Sequence, residues 1–207
     1  NFLVSLSIFI LINLEHTSQS QYISSFDSNT SQTNAKIVPL KSDKFTIVST
    51  CYNKTENTST ICADFRNSNY PKISIWKGFL KTPSNSYFFG EANAISLSNG
   101  NIAIVYTEST SSDIFMQLRS ENTTDAFSIP YSNILTDNER VNFYNNGRQK
   151  APKVLNLNSD KFLIFWQSYF QNGSHYALNA KILFNSGEIV KEDFNINQKA
   201  TKLPSTQ

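Results

Sequence analysis

The sequence predicts an all-β fold made of tandem four-stranded repeats of the partial β-propeller type. Three observations predict it. A Leu-turn-strand pattern recurs every 57 to 60 residues, each period holds four short strand-like segments, and no helical periodicity longer than a turn or two follows the N-terminal apolar run. Four-stranded units that are buried on both faces and repeat at this interval are typical of propeller blades.

The repeated element is an alternating apolar and polar segment that ends in Leu and precedes a short turn and a strand. Its three copies are anchored at Leu40, Leu97 and Leu157, which lie 57 and 60 residues apart. Asn-Gly in the second copy is a strong signal for a two-residue hairpin turn, because both residues tolerate positive φ. We therefore expect each copy to begin with a β-hairpin. The three turns are Ser42-Asp43, Asn99-Gly100 and Ser159-Asp160.

The strand after each turn is apolar on both faces. In the third copy Phe162, Ile164 and Trp166 alternate with Leu163 and Phe165, and residues of the second copy alternate in the same way. Such a strand has to be covered on both sides. The pattern therefore predicts that successive sheets pack face to face.

Two further strands are expected in each unit. A string of small β-sandwich modules is the alternative, but a sandwich needs about 100 residues and the period is shorter. The third strands are expected at TICADFR (60–66), DIFMQLR (113–119) and YALNAKILF (176–184), and the fourth at KISIWKG (72–78), AFSIPYS (126–132) and EIVKEDFNIN (188–197).

The chain divides along this period. Known propellers have about four to eight blades, so three cannot close a ring. QKATKLPST (198–206) resembles QKAPKVLNL (149–157), and we therefore expect a fourth repeat to begin there in a longer chain. The expected segments are a signal peptide (1–20), a polar linker (21–34), three β repeats (35–90, 91–150 and 151–199) and the start of a fourth (200–207).

The N-terminus indicates export. An uncharged apolar run from Phe2 to Leu14 ends at Glu15 and is followed by small and polar residues, with cleavage expected after Ser18 or Ser20. The run is shorter than the roughly 20 residues of a membrane-spanning helix and suits a signal peptide. A membrane anchor or a buried strand is the alternative interpretation, and an uncleaved segment is the only membrane contact that we expect.

Charge and cysteine usage narrow the function further. A net charge of +2 without clustered Lys and Arg argues against nucleic acid as a partner. The only cysteines, Cys51 and Cys62, flank a polar loop. They could sit on adjacent strands and form a disulfide in an oxidising compartment, with two free thiols as the alternative. No Cys/His spacing indicates a zinc site.

Asn-x-Ser/Thr sequons are expected to lie in loops and to carry glycans if the protein is secreted. About five would arise by chance in so Asn-rich a sequence, so only their positions are informative. They begin at Asn29, Asn53, Asn57, Asn122 and Asn172.

The third unit begins with Pro152 and Val154, has Trp166-Gln167-Ser168 at the end of a strand and closes with Ile196-Asn197. In these elements it resembles a repeat family of large secreted bacterial proteins and of surface proteins of ciliates and other protists. The resemblance rests on a Pro-x-Val start, a Trp-Gln-Ser strand end, an Asn-x-Gly turn, a closing Ile-Asn and a linker at 141–152. It implies propeller-like arrays in extracellular proteins and no catalytic residues. Ser49-Thr50-Cys51 and Tyr106-Thr107-Glu108 replace Trp-Gln-Ser in the first two units. The matching residues are Pro152, Val154, Ser159-Asp160, Trp166-Gln167-Ser168, Asn172-Gly173-Ser174, Asn185-Ser186-Gly187 and Ile196-Asn197.

The sequence holds few candidates for catalysis. His16 and His175 are expected to be solvated, and no hydrolase, kinase or cofactor motif occurs. Carboxylates could still meet at a propeller centre, as in glycosidases of that fold. Trp76 and Trp166 could stack on a sugar, although packing between blades suits Trp166 better. The candidate carboxylates are Asp43, Asp64, Glu108, Asp113 and Asp160, of which Asp43 and Asp160 are expected to form Asx turns.

These observations favour a non-catalytic, extracellular or cell-surface β-repeat protein without a cofactor. We expect it to act as a binding or structural module whose loops contact a protein or glycan ligand in a larger assembly. The alternatives are a fragment of a propeller-type glycan-processing enzyme and a subunit whose ring is completed by a partner.

Overall fold

The computed structural model describes residues 30–41, 43–55, 57–67, 70–79, 91–108, 111–120, 134–169 and 176–197, with only the backbone described at 67, 70–79, 134 and 137. The expected signal peptide, His16, His175 and the start of a fourth repeat lie outside these ranges. Sequons at Asn29, Asn122 and Asn172 and the side chain of Trp76 lie outside them as well.

Three antiparallel sheets of four strands follow one another along the chain, each in sequential strand order. The first sheet comprises β1 (Thr30–Pro39), β2 (Lys44–Asn53), β3 (Thr58–Asn67) and β4 (Tyr70–Phe79). The second comprises β5 (Ala92–Ser96), β6 (Asn101–Thr107), β7 (Ile114–Ser120) and β8 (Ile134–Arg140). The third comprises β9 (Gln149–Asn156), β10 (Lys161–Tyr169), β11 (Tyr176–Phe184) and β12 (Ile189–Asn195).

The Leu anchors occupy equivalent positions in the first hairpin of each of the three sheets. The amide of Leu40 donates to the carbonyl of Lys44 at 2.9 Å, and Leu97 and Leu157 bond in the same way to the residue four positions on. The loop between the paired strands therefore has four residues, not the two that Asn-Gly predicts. Gly100 closes it with a φ of 87°.

The sheets pack face to face and meet at their first strands. β5 contacts β1 and β2, and β9 contacts β5, β6 and β7. Sequential four-stranded antiparallel sheets stacked in this way are the arrangement of propeller blades. The chain therefore has the all-β, tandem-repeat fold of propeller type that the sequence predicts.

Strand β6 lies at the centre of the two interfaces. Ile102, Ile104 and Tyr106 face the first sheet, where they pack with Val48 and Ile61 among others. The alternate residues of β6 face the third sheet and pack with its buried side chains. The prediction that this strand is covered on both faces is confirmed. The second interface joins Ala103, Val105, Ile114, Met116 and Leu118 to Val154, Phe162, Ile164, Trp166 and Leu183.

Several predicted boundaries are wrong. Strand β1 begins at Thr30, inside the segment expected to be a linker (21–34), and β9 begins at Gln149, within the expected second repeat. The fourth strand of the second sheet is Ile134–Arg140, not AFSIPYS (126–132), which lies outside the described residues. Among the described residues, no helix is long and apolar enough to cross a membrane.

Candidate functional site

A cleft opens where the hairpin loops of the second and third sheets meet. Its volume is about 380 Å³, within the range of small-ligand sites. Two carboxylates, two hydroxyls, two amides and one aromatic ring belong to the residues that line it, and most of the surface that they expose to it is apolar. The lining residues are Asn99, Ser159, Asp160, Phe184, Asn185, Ser186 and Glu188.

Asn185 holds the two loops of the cleft together. Its buried side-chain amide donates to Ser98 Oγ at 2.9 Å and to the carbonyl of Ser159 at 3.0 Å. The backbone carbonyl of Asn185 accepts hydrogen bonds from the side-chain amides of Asn99 at 3.0 Å and Asn101 at 3.2 Å. The loops of the two sheets are therefore fixed by backbone and side-chain bonds, so the cleft is preformed.

One polar atom of Asn185 has no hydrogen-bond partner among the described residues. The residue is 5% exposed, and its Oδ1 makes no hydrogen bond within the described part of the chain. Leaving a buried acceptor unsatisfied costs about 1–3 kcal/mol.

Asp160 does not accept the backbone hydrogen bonds of the Asx turn that the sequence predicts for it. The amides of Asp160 and Lys161 both donate to Asn158 Oδ1, at 3.1 Å and 2.9 Å. Asn158 therefore forms the Asx turn that the sequence assigned to Asp160. The exposed Asp160 carboxylate lines the cleft instead.

Glu188 is brought to the cleft by a tight turn between β11 and β12. The turn places Gly187 at a φ of 99°, and a Cβ there would lie 2.9 Å from Leu118 Cδ1 of the second sheet. Only glycine satisfies both the backbone conformation and this close approach. The Asn185-Ser186-Gly187 turn therefore positions Glu188 on the same cleft as Asp160.

The other four candidate carboxylates lie away from the cleft, and each has a different local environment. Asp43 occupies a hairpin turn with a φ of 55°, and Asp64 pairs with Arg66 in the first sheet at 2.7 Å. Glu108 accepts a bond from Ser111 at 3.1 Å. Asp113 accepts one from buried Asn142 at 2.8 Å and lies 3.8 Å from Arg140. Of the five predicted carboxylates, the structure places only Asp160 on the cleft.

A row of buried polar groups on the third strands was not predicted. Arg66 Nε and Nη2 donate to Asp64 Oδ2 at 3.1 and 2.7 Å. At the equivalent place in the second sheet Arg119 Nε donates to Gln117 Oε1 at 3.1 Å. The signal was visible in the shared arginine that ends TICADFR and DIFMQLR.

Trp166 packs between the second and third sheets, as its place in the repeat predicts. Its side chain is 1% exposed, and Nε1 donates to Gln149 Oε1 at 3.0 Å. A buried ring cannot stack on a ligand, so Trp166 does not form a sugar platform. Asn53 and Asn57 flank the β2–β3 hairpin turn, and Asn57 is exposed.

The two cysteines are bonded in the structure. Cys51 on β2 and Cys62 on β3 are joined with a Cα–Cα distance of 5.9 Å. Cys51 pairs with Thr60 and Cys62 with Ser49, so the bridge runs diagonally across the hairpin. Both residues are buried on the face of the first sheet that points away from the second.

Removing this bridge is expected to lower the free energy of unfolding by about 3 kcal/mol, because the closed loop no longer restricts the unfolded chain. We expect this loss in the Cys51→Ala/Cys62→Ala variant, measured by urea denaturation, and a similar loss in the wild-type chain with dithiothreitol. Dithiothreitol should not affect the variant. An equal response of both proteins to the reductant would contradict a disulfide at this position.

Comparisons with known proteins support the fold alone. No protein-family model matches the chain, and no curated protein matches its sequence. A protein of unknown function from Dyadobacter fermentans DSM 18053 has a similar structure, with a TM-score of 0.52 and 10% identity over 77% of this chain and 40% of its own. The β-propeller domain of the Trilobed protease from Pyrococcus furiosus, which has an open velcro topology, is also similar, with a TM-score of 0.44 and 14% identity over 83% of this chain and 44% of its own. The chain thus spans about two fifths of each of these two structures.

Proposed function

We propose that this protein is a non-catalytic β-repeat module of a secreted or cell-surface assembly and that it binds a glycan in the cleft between its second and third sheets. The observation that carries the proposal is the preformed cleft itself. Two carboxylates, Asp160 and Glu188, line it together with Asn185.

The chemistry of the lining suits a carbohydrate. Sugar hydroxyls donate hydrogen bonds, and the residues that line the cleft include two carboxylate acceptors, Asp160 and Glu188. The ring of Phe184 adds an apolar surface beside them. A few placed polar groups beside an apolar wall are the usual composition of a small-ligand site.

The extracellular setting is supported by sequence features. The N-terminal apolar run, the sequons and the resemblance of the third unit to repeats of secreted and surface proteins all agree with export. The bonded pair Cys51 and Cys62 is compatible with an oxidising compartment.

Binding is testable with immobilised glycans. We expect the 207-residue chain to bind members of a glycan array, and the Asp160→Asn/Glu188→Gln variant to lose at least about tenfold in affinity, since charged acceptors bond more strongly than amides. Glu91→Gln is the matched control, because Glu91 is an exposed carboxylate that pairs with Lys153 and does not line the cleft. Equal binding by all three proteins, or binding to no glycan, would contradict the proposal.

A glycan-processing enzyme is the second candidate, because two carboxylates line one cleft. Glycosidases use such a pair as acid and base or nucleophile. Incubation of the chain with the glycans that it binds distinguishes the two: release of a reducing sugar that either Asp160→Asn or Glu188→Gln abolishes would favour the enzyme.

A further inference from the structure

The third sheet has two faces, one of which packs on the second sheet. The other face is apolar, and no sheet of the described residues packs on it. This face, here called the following face, points away from the second sheet. Leu155 is 38% exposed on it, and its other apolar side chains are mostly half-buried. It carries Leu155, Leu163, Phe165, Leu178, Ala180 and Ile182.

The second sheet has the same face, and there it is covered. Strand pairing makes Val105 oppose Met116 and Phe165 oppose Ala180, so these pairs are equivalent. In the second sheet Val105 and Met116 are at most 1% exposed, because the third sheet packs on them. Each apolar position that supports the interface therefore has an apolar counterpart on the following face: Ile95 and Leu155, Ala103 and Leu163, Val105 and Phe165, Ile114 and Leu178, Met116 and Ala180, Leu118 and Ile182.

The chain leaves the two sheets through the same local structure. After the second sheet, the amide of Val141 donates to the carbonyl of Ile114, and Asn142 Oδ1 accepts from the amide of Ile114 at 2.7 Å. After the third sheet, Ile196 bonds to the carbonyl of Leu178 in the same way, and Asn197 Oδ1 accepts from the Leu178 amide at 2.5 Å. In both sheets an apolar residue followed by Asn thus bonds the departing chain to the third strand. These two pairs, Val141-Asn142 and Ile196-Asn197, are here called the clamps.

The two clamps differ in what covers them. Val141 is 3% exposed and belongs to the interface between the second and third sheets. Ile196 is 44% exposed. This difference in exposure is expected if a further sheet packs over Ile196 in the way that the third sheet packs over Val141.

The sequence after the second clamp repeats the strand that follows the first. Strand β9 begins Gln-Lys-Ala-Pro-Lys-Val, and its Val154 packs on the second sheet. Residues 198–203 read Gln-Lys-Ala-Thr-Lys-Leu. We propose that residues 198–205 dock on the following face as the first strand of a fourth sheet, with Leu203 in the role of Val154. The proposal does not depend on glycan binding at the cleft.

Photo-crosslinking in the 207-residue chain tests the docking directly. With p-benzoylphenylalanine in place of Phe165, irradiation is expected to join position 165 to the tryptic peptide Leu203–Gln207 within one chain. The cross-linked fraction should not change on dilution. The same group at Lys36, an exposed position on β1, should give no such product.

Other products would overturn the proposal. A covalent dimer through position 165, whose yield falls on dilution, would assign the following face to a second copy of the chain. No cross-link to Leu203–Gln207, or a cross-link only to another part of the same chain, would show that residues 198–205 do not dock there.

A second measurement follows exposure of the face. Leu203→Asp should raise the fluorescence of 8-anilinonaphthalene-1-sulfonate by at least about twofold, because it uncovers a contiguous apolar patch. Ser205→Asp, the matched control at the position equivalent to exposed Asn156, should leave the fluorescence unchanged, with the circular dichroism of both variants like that of the wild type. Equal fluorescence of the two variants would overturn the assignment of Leu203.

Discussion

Trp166→Ala is expected to lower the free energy of unfolding by about 3–5 kcal/mol, the usual cost of truncating a large buried aromatic side chain. Trp166 lies in the interface between the second and third sheets, where it is 1% exposed. Its removal leaves a cavity that the surrounding strands fill only in part, because β10 is held in register by its pairing with both β9 and β11. Urea denaturation followed by circular dichroism measures the loss.

The variant also removes a hydrogen bond. Trp166 Nε1 donates to Gln149 Oε1, and Gln149 is itself 1% exposed at the start of β9. Trp166→Phe keeps most of the ring volume but loses this bond, so it should lower the free energy of unfolding by less than Trp166→Ala does. About 1–3 kcal/mol of that loss should come from leaving Gln149 Oε1 without its donor.

A neighbouring residue supplies the control for this pair. Gln167 is exposed and adjacent on β10, and Gln167→Ala should change stability by no more than about 0.5 kcal/mol. Trp166→Ala with as small an effect as Gln167→Ala would mean that the interface between the second and third sheets contributes little to stability.

The inner strands could be predicted from the sequence, whereas the outermost strand of the second sheet could not. Strand β6 is buried on both faces from Ile102 to Tyr106, and these five residues are all apolar or aromatic, so the sequence pattern predicts it clearly. Strand β8 pairs with one neighbour in the order of its sheet, and its exposed or half-buried residues include Asn138, Glu139 and Arg140. A strand that buries little surface needs no apolar alternation. The sequence therefore favours the more apolar AFSIPYS (126–132) as the fourth strand, whereas the structure has it at Ile134–Arg140.

The cleft shows a second limit of sequence interpretation. Asn and Asp both form Asx turns, and the spacing of Asn158 and Asp160 does not tell which side chain accepts the backbone amides. Glu188 and Asn185 reach the cleft only because the β11–β12 turn packs against the loop of the second sheet. Such proximity between distant residues depends on how the sheets stack, which no local pattern encodes.

The buried ion pair of the first sheet leads to the second large expected effect. Asp64 and Arg66 have side-chain exposures of 0% and 6%, and the guanidinium contacts the carboxylate through Nε and Nη2. Asp64→Leu should lower the free energy of unfolding by about 3–5 kcal/mol, because it removes the carboxylate that balances a buried charge. Replacing both partners with apolar residues removes that uncompensated charge.

A double-mutant cycle measured by urea denaturation separates charge pairing from packing. The Asp64→Leu/Arg66→Met variant should be more stable than the sum of the two single losses predicts, by about 2 kcal/mol or more. Additive losses would contradict direct coupling between the two side chains.

The second sheet provides a matched comparison at the equivalent position. Arg119 is as buried as Arg66, at 5% exposure, but its acceptor Gln117 is neutral. Gln117→Leu should therefore cost about 1.5–3 kcal/mol for the bond to the charged Arg119. It also removes the bond that Gln117 Nε2 donates to Asn138 Oδ1 at 2.9 Å, and the total should still be less than the cost of Asp64→Leu. Equal losses in the two sheets would contradict a contribution of the negative charge of Asp64 to the stability of the first sheet.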